Sequence, residues 1–309
     1  MKPLVLAFPG ERLGMAGRLA EELGAELGSW TMRRFPDGES YLRVDSAVKG
    51  RDVLVVATMT RPDEQTLPLL FLAETLCELE ATSVGWVTPY LPYMRQDTRF
   101  HPGEALTSRG YARLLSTYFD WLVTVDPHLH RLDSLDPIYS IPCRLVHSAP
   151  RIADWLAREV PDGFLIGPDA ESHQWVSAVA ALADLPFMIL EKVRSGDRDV
   201  EVTAPAELSR GKGRRPVIID DIISTGRTMI ETIEEVRRAG LGEPVCIGIH
   251  ALFVDDSFDE LRRAGISRIV TCNTVEHESN TIDITGLLAE GVKKSLALSA
   301  APALSDGVA

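Results

Sequence analysis

Two adjacent carboxylates, Asp220 and Asp221, close an aliphatic run in the stretch VIIDDIISTGRTM (residues 217–229), and Ser224, Thr225, Gly226 and Thr228 follow at once. The aliphatic residues read as a buried strand and the hydroxyl-rich turn as the start of a helix. The first amides of a helix lack internal partners and carry partial positive charge, so they bind anions. Serine and threonine hydroxyls add donors, and glycine lets the backbone approach a ligand closely. The two carboxylates would repel a phosphate set on them, but they accept hydrogen bonds from neighbouring hydroxyls. A phosphate on one side and a diol on the other describe a sugar phosphate. Two acids followed by two hydroxyls, taken alone, are more simply read as a capped helix after a strand, with Asp220 and Asp221 as solvated loop acids.

The elements that must position such a turn are legible along the chain. Aliphatic runs PLVLAF, DVLVVAT, SVGWVTP, WLVTVD, GFLIGPD, PFMILEK, RPVIIDD, VCIGIHALF and RIVTCNT read as strands. Several are nearly continuous in hydrophobicity, which predicts strands covered on both faces. LPLLFLAETLCELEA and TMIETIEEVRRAG have helical spacing; in the second, Met229, Ile230, Ile233 and Val236 share a face and Gly240 is the stop. Alternating strands and helices predict an α/β fold with mainly parallel sheets. The 309 residues exceed one ordinary sheet, and a boundary near CRLVHSAP gives two domains, 1–147 and 148–309. Equal halves hint at a duplication, although no period shows in the residues. The small-residue end, SLALSAAPALSDGVA, is expected to fray.

Bulk composition narrows the function. A formal net charge of -13 argues against general binding to nucleic acid or anionic membranes. No apolar run reaches the roughly 20 residues of a membrane span, and the apolar part of the N-terminus reads as a first strand rather than a secretory signal. Cys77, Cys143, Cys246 and Cys272 form no C-x-x-C pair and read as reduced core residues of a cytoplasmic protein. No Walker loop is present, so a nucleotide would need another cradle.

The string from Asp220 to Thr228 resembles the phosphoribosyl-pyrophosphate loop of the phosphoribosyltransferase fold. FPDGESYLRV (35–44), TPYLPYMRQDTRFHPGEALTSR (88–109), TVDPHLH (124–130) and GPDAES (167–172) resemble, in order and spacing, ribose-phosphate diphosphokinases. The resemblance runs from about residue 1 to 295, and LEKVRSGDRDVEV is nearer the archaeal-type branch. It implies two tandem phosphoribosyltransferase-like (type I) domains, each a mainly parallel sheet flanked by helices. It implies transfer of the diphosphoryl group of Mg-ATP to ribose 5-phosphate, with Mg2+ as the metal, in a homo-oligomer of at least two subunits.

The resemblance also assigns residues. Asp220 and Asp221 hold ribose hydroxyls, and Ser224, Thr225, Gly226, Arg227 and Thr228 form the 5-phosphate loop. Phe35, Asp37 and Glu39 reach the adenine of a neighbouring subunit. Arg95, Gln96 and Arg99 match nucleotide-contacting positions, where arginine forks onto phosphate or stacks on a base. His128, also an ATP contact, and Asp169 match metal-associated positions, with Asp126 and His130 as support. Lys192 and Arg194 match cations of a mobile catalytic loop. The FPDGE and RQD segments argue against a transferase that consumes phosphoribosyl pyrophosphate, and the retained loop cations against a non-catalytic subunit. One departure stands out: Glu171–Trp175 replaces a Gly-Gly pair that many members carry after PD.

Overall fold

The computed structural model describes residues 1–9, 14–129, 131–190, 192–195, 199–202 and 208–299, the backbone alone being described at 192–195, 199–202 and 299. The chain divides into two compact units, Met1–Val146 with the chain from Thr285 onward, and His147–Ile284.

The first unit is built on a six-stranded sheet of β1 (Leu4–Ala7), β2 (Glu26–Leu27), β5 (Asp52–Val56), β6 (Ser83–Thr88), β7 (Trp121–Val125) and β8 (Cys143–Val146). Its order is β2-β1-β5-β6-β7-β8, and every pairing is parallel. The strands β6 and β7 are buried at every residue, as the unbroken hydrophobic runs predict. Helices α2 (Pro62–Glu78) and α3 (Thr107–Leu115) follow β5 and β6, and Leu69, Leu72, Ala73, Leu76, Ala112 and Leu115 join the core with Trp86. Helix α1 (Met15–Leu23) packs on β1. A separate antiparallel hairpin, β3 (Trp30–Arg34) and β4 (Ser40–Val44), lies in sequence between β2 and β5.

The second unit repeats this plan. Strands β9 (Gly163–Gly167), β10 (Phe187–Ile189), β13 (Arg215–Ile223), β14 (Val245–Ala251), β15 (Arg268–Cys272) and β16 (Asn280–Ile282) form an all-parallel sheet ordered β10-β9-β13-β14-β15-β16. Helices α4 (Ala149–Glu159) and α5 (His173–Ala183) pack together. Helix α6 (Arg227–Arg238) follows β13, and α7 (Ser257–Arg263) follows β14. Met229, Ile233 and Val236 of α6 are buried, and Gly240 ends the segment with φ 72°. A hairpin of β11 (Lys192–Ser195) and β12 (Asp199–Val202) again falls between the second and third sheet strands in sequence. Both sheets therefore read second-first-third-fourth-fifth-sixth, so the duplication hinted at by the equal halves is explicit in the topology.

The break between the units comes after Val146, within the expected boundary segment, whose first four residues form β8, the edge strand of the first sheet. Two expectations change. The last helix, α8 (Thr285–Ser299), was grouped by sequence with the second domain, yet it packs on α1, β7 and β8 of the first. It also carries helix through Ser299, into the stretch expected to fray; residues beyond 299 lie outside the described residues.

Close packing makes Gly85 on β6 a sensitive point. It pairs in register with Trp121 on β7, and a Cβ there would stand 2.0 Å from the indole. Both tryptophan and strand are fully enclosed, so neither can move aside cheaply. Gly85→Ala is expected to lower the unfolding free energy by about 1–3 kcal/mol or more, the scale of overpacking a core, read from urea denaturation midpoints. An unchanged midpoint would mean that the Trp121 ring relaxes freely.

Candidate active site

In open parallel sheets, ligands bind beyond the carboxyl ends of the strands where the strand order reverses. In the second unit that reversal lies between β9 and β13. The end of β9 leads through Pro168 to Asp169, and β13 carries Asp220 and Asp221 near its end, before the turn into α6. Asp220 is half-buried and Asp221 only 4% exposed. Burial, then the neighbouring charges of Asp221 and Asp169, push the Asp220 carboxyl well above its usual range. Its Oδ1 accepts the Asp221 amide at 3.0 Å.

The turn after these acids is open to an anion. Gly226 caps α6 with φ 70°, a backbone that disfavours a side chain, and a Cβ there would also meet Leu261 at 3.1 Å. No acid sits in the first turn of α6 and no side chain caps it among the described residues. Thr225 and Arg227 are exposed, while Ser224 and Thr228 are half-buried. The carbonyl of Ser224 accepts from the Val254 amide at 3.3 Å, which ties the turn to the segment after β14.

Asp169 is held by its own loop. Its Oδ1 accepts the amides of Glu171 and Ser172 at 3.0 and 3.2 Å, and the buried Ser172 hydroxyl donates to the Asp169 carbonyl at 2.6 Å. Residues 170–172 form a 3₁₀ turn that leads into α5. The segment that departs from the family's Gly-Gly pair is thus a capped turn that orients Asp169 and leaves its second oxygen to other partners.

The carboxylates of the site could hold a cation only together with other ligands. Among the described residues no three His, Cys, Asp or Glu side chains are arranged to hold a metal by themselves. Mg2+ typically takes one or two carboxylates and completes its shell with water and substrate phosphate. The raised Asp220 carboxyl, beside two further acids, is a site short of positive charge, which a cation arriving with a phosphate would supply.

In the first unit the loops after β6 and β7 carry the remaining candidates. Arg95 and Arg99 are exposed, and Gln96 and His128 are half-buried. Leu91 and Met94 anchor the first loop in the core. Tyr93 donates its hydroxyl to Asp63 on α2, and burial followed by that acid raises the phenol to about 12. Thr107 donates to Gln96 Oε1 at 3.0 Å, and Ser108 donates to the Gln96 carbonyl at 3.0 Å. Arg99 Nε donates to the Glu104 carbonyl at 2.7 Å, while the Glu104 carboxylate accepts the Phe100 and His101 amides. Asp126, before His128, is buried and holds φ 32°; His130 lies outside the described residues.

The turn between β3 and β4 presents Phe35–Glu39, all exposed. Phe35 N–H donates to the Glu39 carbonyl at 2.8 Å, and Asp37 Oδ1 accepts the Glu39 amide at 3.2 Å. Asp37 therefore shapes the turn. The Arg33 guanidinium lies 4.6 Å from the Phe35 ring and 4.3 Å from the Tyr41 ring. Lys192 and Arg194 fall on β11, a hairpin strand rather than an irregular loop; their side chains lie outside the described residues.

A family model described as the N-terminal domain of ribose phosphate pyrophosphokinase matches residues 8–118, and one described as the phosphoribosyl transferase domain matches residues 146–285. The ribose-phosphate pyrophosphokinase of Methanopyrus kandleri is 34% identical over 293 residues, spanning 94% of this chain and 99% of that protein. The chain belongs to the ribose-phosphate pyrophosphokinase family. The Sulfolobus acidocaldarius ribose-phosphate pyrophosphokinase is 32% identical over 271 residues, 86% of this chain and 91% of that one. The solved structure of phosphoribosylpyrophosphate synthetase from Mycobacterium smegmatis has the same fold, with a TM-score of 0.84 at 23% identity over 96% of this chain and 100% of that chain. The protein is accordingly an enzyme of the ribose-phosphate pyrophosphokinase type.

Sequence reasoning missed Glu104, Ser172 and the Tyr93–Asp63 pair. Each hydrogen-bonds within or onto a loop that carries a candidate residue, and single polar residues in polar loops carry no pattern that marks such contacts.

The Asp220 shift has a stability consequence. An acid whose folded pKa lies above its unfolded value, about 3.9, gives full stability below the unfolded pKa and loses it as pH rises through the folded one. Asp220→Asn removes the charge that costs stability. The unliganded variant is expected to melt higher than the parent at pH 8, with the difference shrinking toward pH 4, in thermal unfolding followed by circular dichroism. A variant that melts lower than the parent at pH 8 would show the carboxylate to be satisfied in the free protein.

Proposed function

We propose that the protein transfers the diphosphoryl group of Mg-ATP to the anomeric hydroxyl of D-ribose 5-phosphate, giving 5-phospho-α-D-ribose 1-diphosphate and AMP. The observation that carries this reading is the β9–β13 reversal, where a helix start without an acid or side-chain cap lies just after two adjacent carboxylates, the first of them raised by burial and by its acidic neighbours. In this reading the α6 turn, Ser224–Thr228, binds the 5-phosphate through backbone amides and hydroxyls. Asp220 and Asp221 accept hydrogen bonds from the ribose diol.

Arg95, Gln96 and Arg99 bind the triphosphate and His128 lies beside it, while Phe35 stacks on adenine and Glu39 accepts from its amino group. His128 and Asp169 are the candidate metal-associated residues, and bound Mg2+ supplies charge neutralisation on the phosphates. The anomeric hydroxyl gives up its proton to solvent as its oxygen forms a bond to the β-phosphorus, the bond from that phosphorus to the α–β bridging oxygen breaks, and AMP leaves with the electron pair. Lys192 and Arg194 stabilise the charge that develops on the bridging oxygen. The four cysteines are free thiols, but only Cys246 and Cys272 are core residues, Cys77 being exposed and Cys143 half-buried; among the described residues no helix is long and apolar enough to cross a membrane.

Incubation with ribose 5-phosphate and Mg-ATP is expected to release AMP; release of ADP would replace this reaction with a monophosphoryl transfer. In the same assay Lys192→Ala should lower kcat by roughly 10²-fold, the scale of one lost transition-state contact, with both KM values little changed. A near-normal kcat would remove Lys192 from the machinery.

If the Phe35 turn completes a neighbouring subunit's nucleotide site, the active species is at least a dimer. Phe35→Ala should then raise the KM for ATP more than that for ribose 5-phosphate. A monomer in sedimentation that retains full activity at the same concentration would sink the assembly proposal.

A further inference from the structure

Two loops leave the carboxyl ends of the neighbouring strands β6 and β7. The first carries Arg95, Gln96 and Arg99, the second His128. Asp97 sits on the first and Arg131 on the second, and Arg131 Nη1 meets Asp97 Oδ1 at 2.7 Å. The Asp97 side chain is only 3% exposed, against 46% for Arg131. The other Asp97 oxygen, Oδ2, is buried with no hydrogen-bond partner among the described residues. The Arg131 guanidinium also lies 5.4 Å from the ring of Phe100, back on the first loop.

This arrangement differs from a surface ion pair. A solvated pair contributes little because water competes for both charges. Here the carboxylate is enclosed and the guanidinium covers it, so removing the cation leaves a buried charge uncompensated. Further ties on the first loop run within it, from Arg99, Phe100 and His101 to Glu104, and to helices, from Tyr93 to Asp63 on α2 and from Gln96 to Thr107 and Ser108 on α3. They fix the loop on its own side. The Asp97–Arg131 pair joins it to the loop that carries His128.

We propose that Asp97 and Arg131 are positioning residues whose ion pair sets the Arg95–Arg99 loop against the His128 loop, so that both address one nucleotide triphosphate. The inference rests on the reading that these loops bind ATP. Neither residue need touch the nucleotide. Loosening the pair leaves Arg95, Gln96 and His128 chemically intact but free to spread, so the loss falls on nucleotide binding.

The test compares steady-state kinetics of Arg131→Gln, Arg131→Lys, Asp97→Asn and the double variant Asp97→Asn/Arg131→Gln, with Arg95→Ala as a control. Arg131→Gln is expected to raise the KM for ATP roughly tenfold, with the KM for ribose 5-phosphate within about twofold of the parent. Arg131→Lys should recover part of that loss, since it keeps the charge but not the fork. The double variant should be no worse than the worse single one, because both substitutions break the same pair. A lowered melting temperature with an unchanged KM for ATP, or additive losses in the double variant, would overturn the proposal and leave a purely structural pair. If Arg95→Ala leaves the KM for ATP unchanged, the ATP reading of the loop fails, and the inference with it. If Arg95→Ala raises it while Arg131→Gln does not, the reading stands and the positioning role alone is lost.

Discussion

The cost of keeping a carboxylate dry beside two others organises the second unit. Asp220 has lost much of its water, and Asp221 and Asp169 face it with the same charge. In water such acids would separate and hydrate; here β9, buried at every residue, and β13, buried at most, are hydrogen-bonded neighbours in the sheet. The rigidity of the sheet is what holds the repulsion in place. In the proposed reading, hydroxyl donors and a cation brought by a phosphorylated substrate would relieve it. The capped turn at 170–172 serves the same end, because it fixes the direction from which Asp169 contributes.

The two units show what happens when one plan is used twice. In both, a loop joins the third sheet strand to a helix. In the second unit that loop ends at Gly226 and meets a helix start without acids. In the first, Gln65 Oε1 accepts the Arg61 amide at 2.7 Å and its Nε2 donates to the Thr58 carbonyl at 3.2 Å. Pro62 occupies the first helical turn, with Asp63 and Glu64 behind it. A donor already bonded, a proline without one and two negative charges leave nothing to attract a phosphate. The first unit carries its candidate nucleotide residues elsewhere, on the β6 and β7 loops and on the β3–β4 turn. Gene duplication followed by closure of one anion site accounts for both patterns with a single topology.

Much of this was legible in the sequence because enclosed strands leave little freedom of composition. All nine aliphatic runs are strands, and of the face of Met229, Ile230, Ile233 and Val236 all but the half-buried Ile230 are buried. What escaped notice was short, solvated or distant. CRLV has four residues and half-buried positions, so it looked like a linker although it closes a sheet edge. WTMRR and SYLRV alternate polar and apolar residues around a plain turn, without the long apolar run that marked the other strands. Helix α8 returns to the first unit through contacts more than 100 residues away in sequence, such as Thr285 with Met15. At the candidate site the reacting groups had a readable pattern, since acids, hydroxyls and glycine must follow one another. The loop supports did not, since any donor of the right reach can fill such a place.

The β3–β4 hairpin shows how far a physical reading extends past pattern. Trp30, Leu42 and Val44 pack on the first unit's core, and the Trp30 indole N–H donates to the Ala7 carbonyl at 2.8 Å. Residues of the opposite parity turn outward, and these include Arg33, Phe35 and Tyr41. Phe35 is exposed and Tyr41 half-buried. Arg33 lies against both rings, a cation–π arrangement that favours their outward placement. Phe35 then stands edge-on to Tyr41, with its ring 6.3 Å away and still more than a third exposed. An aromatic ring held out in this way is ready to stack on a flat ligand without first paying for its own ordering. This is what a base-recognition role for the turn would demand, and a turn of PDG composition without the flanking arginine and tyrosine would not supply it.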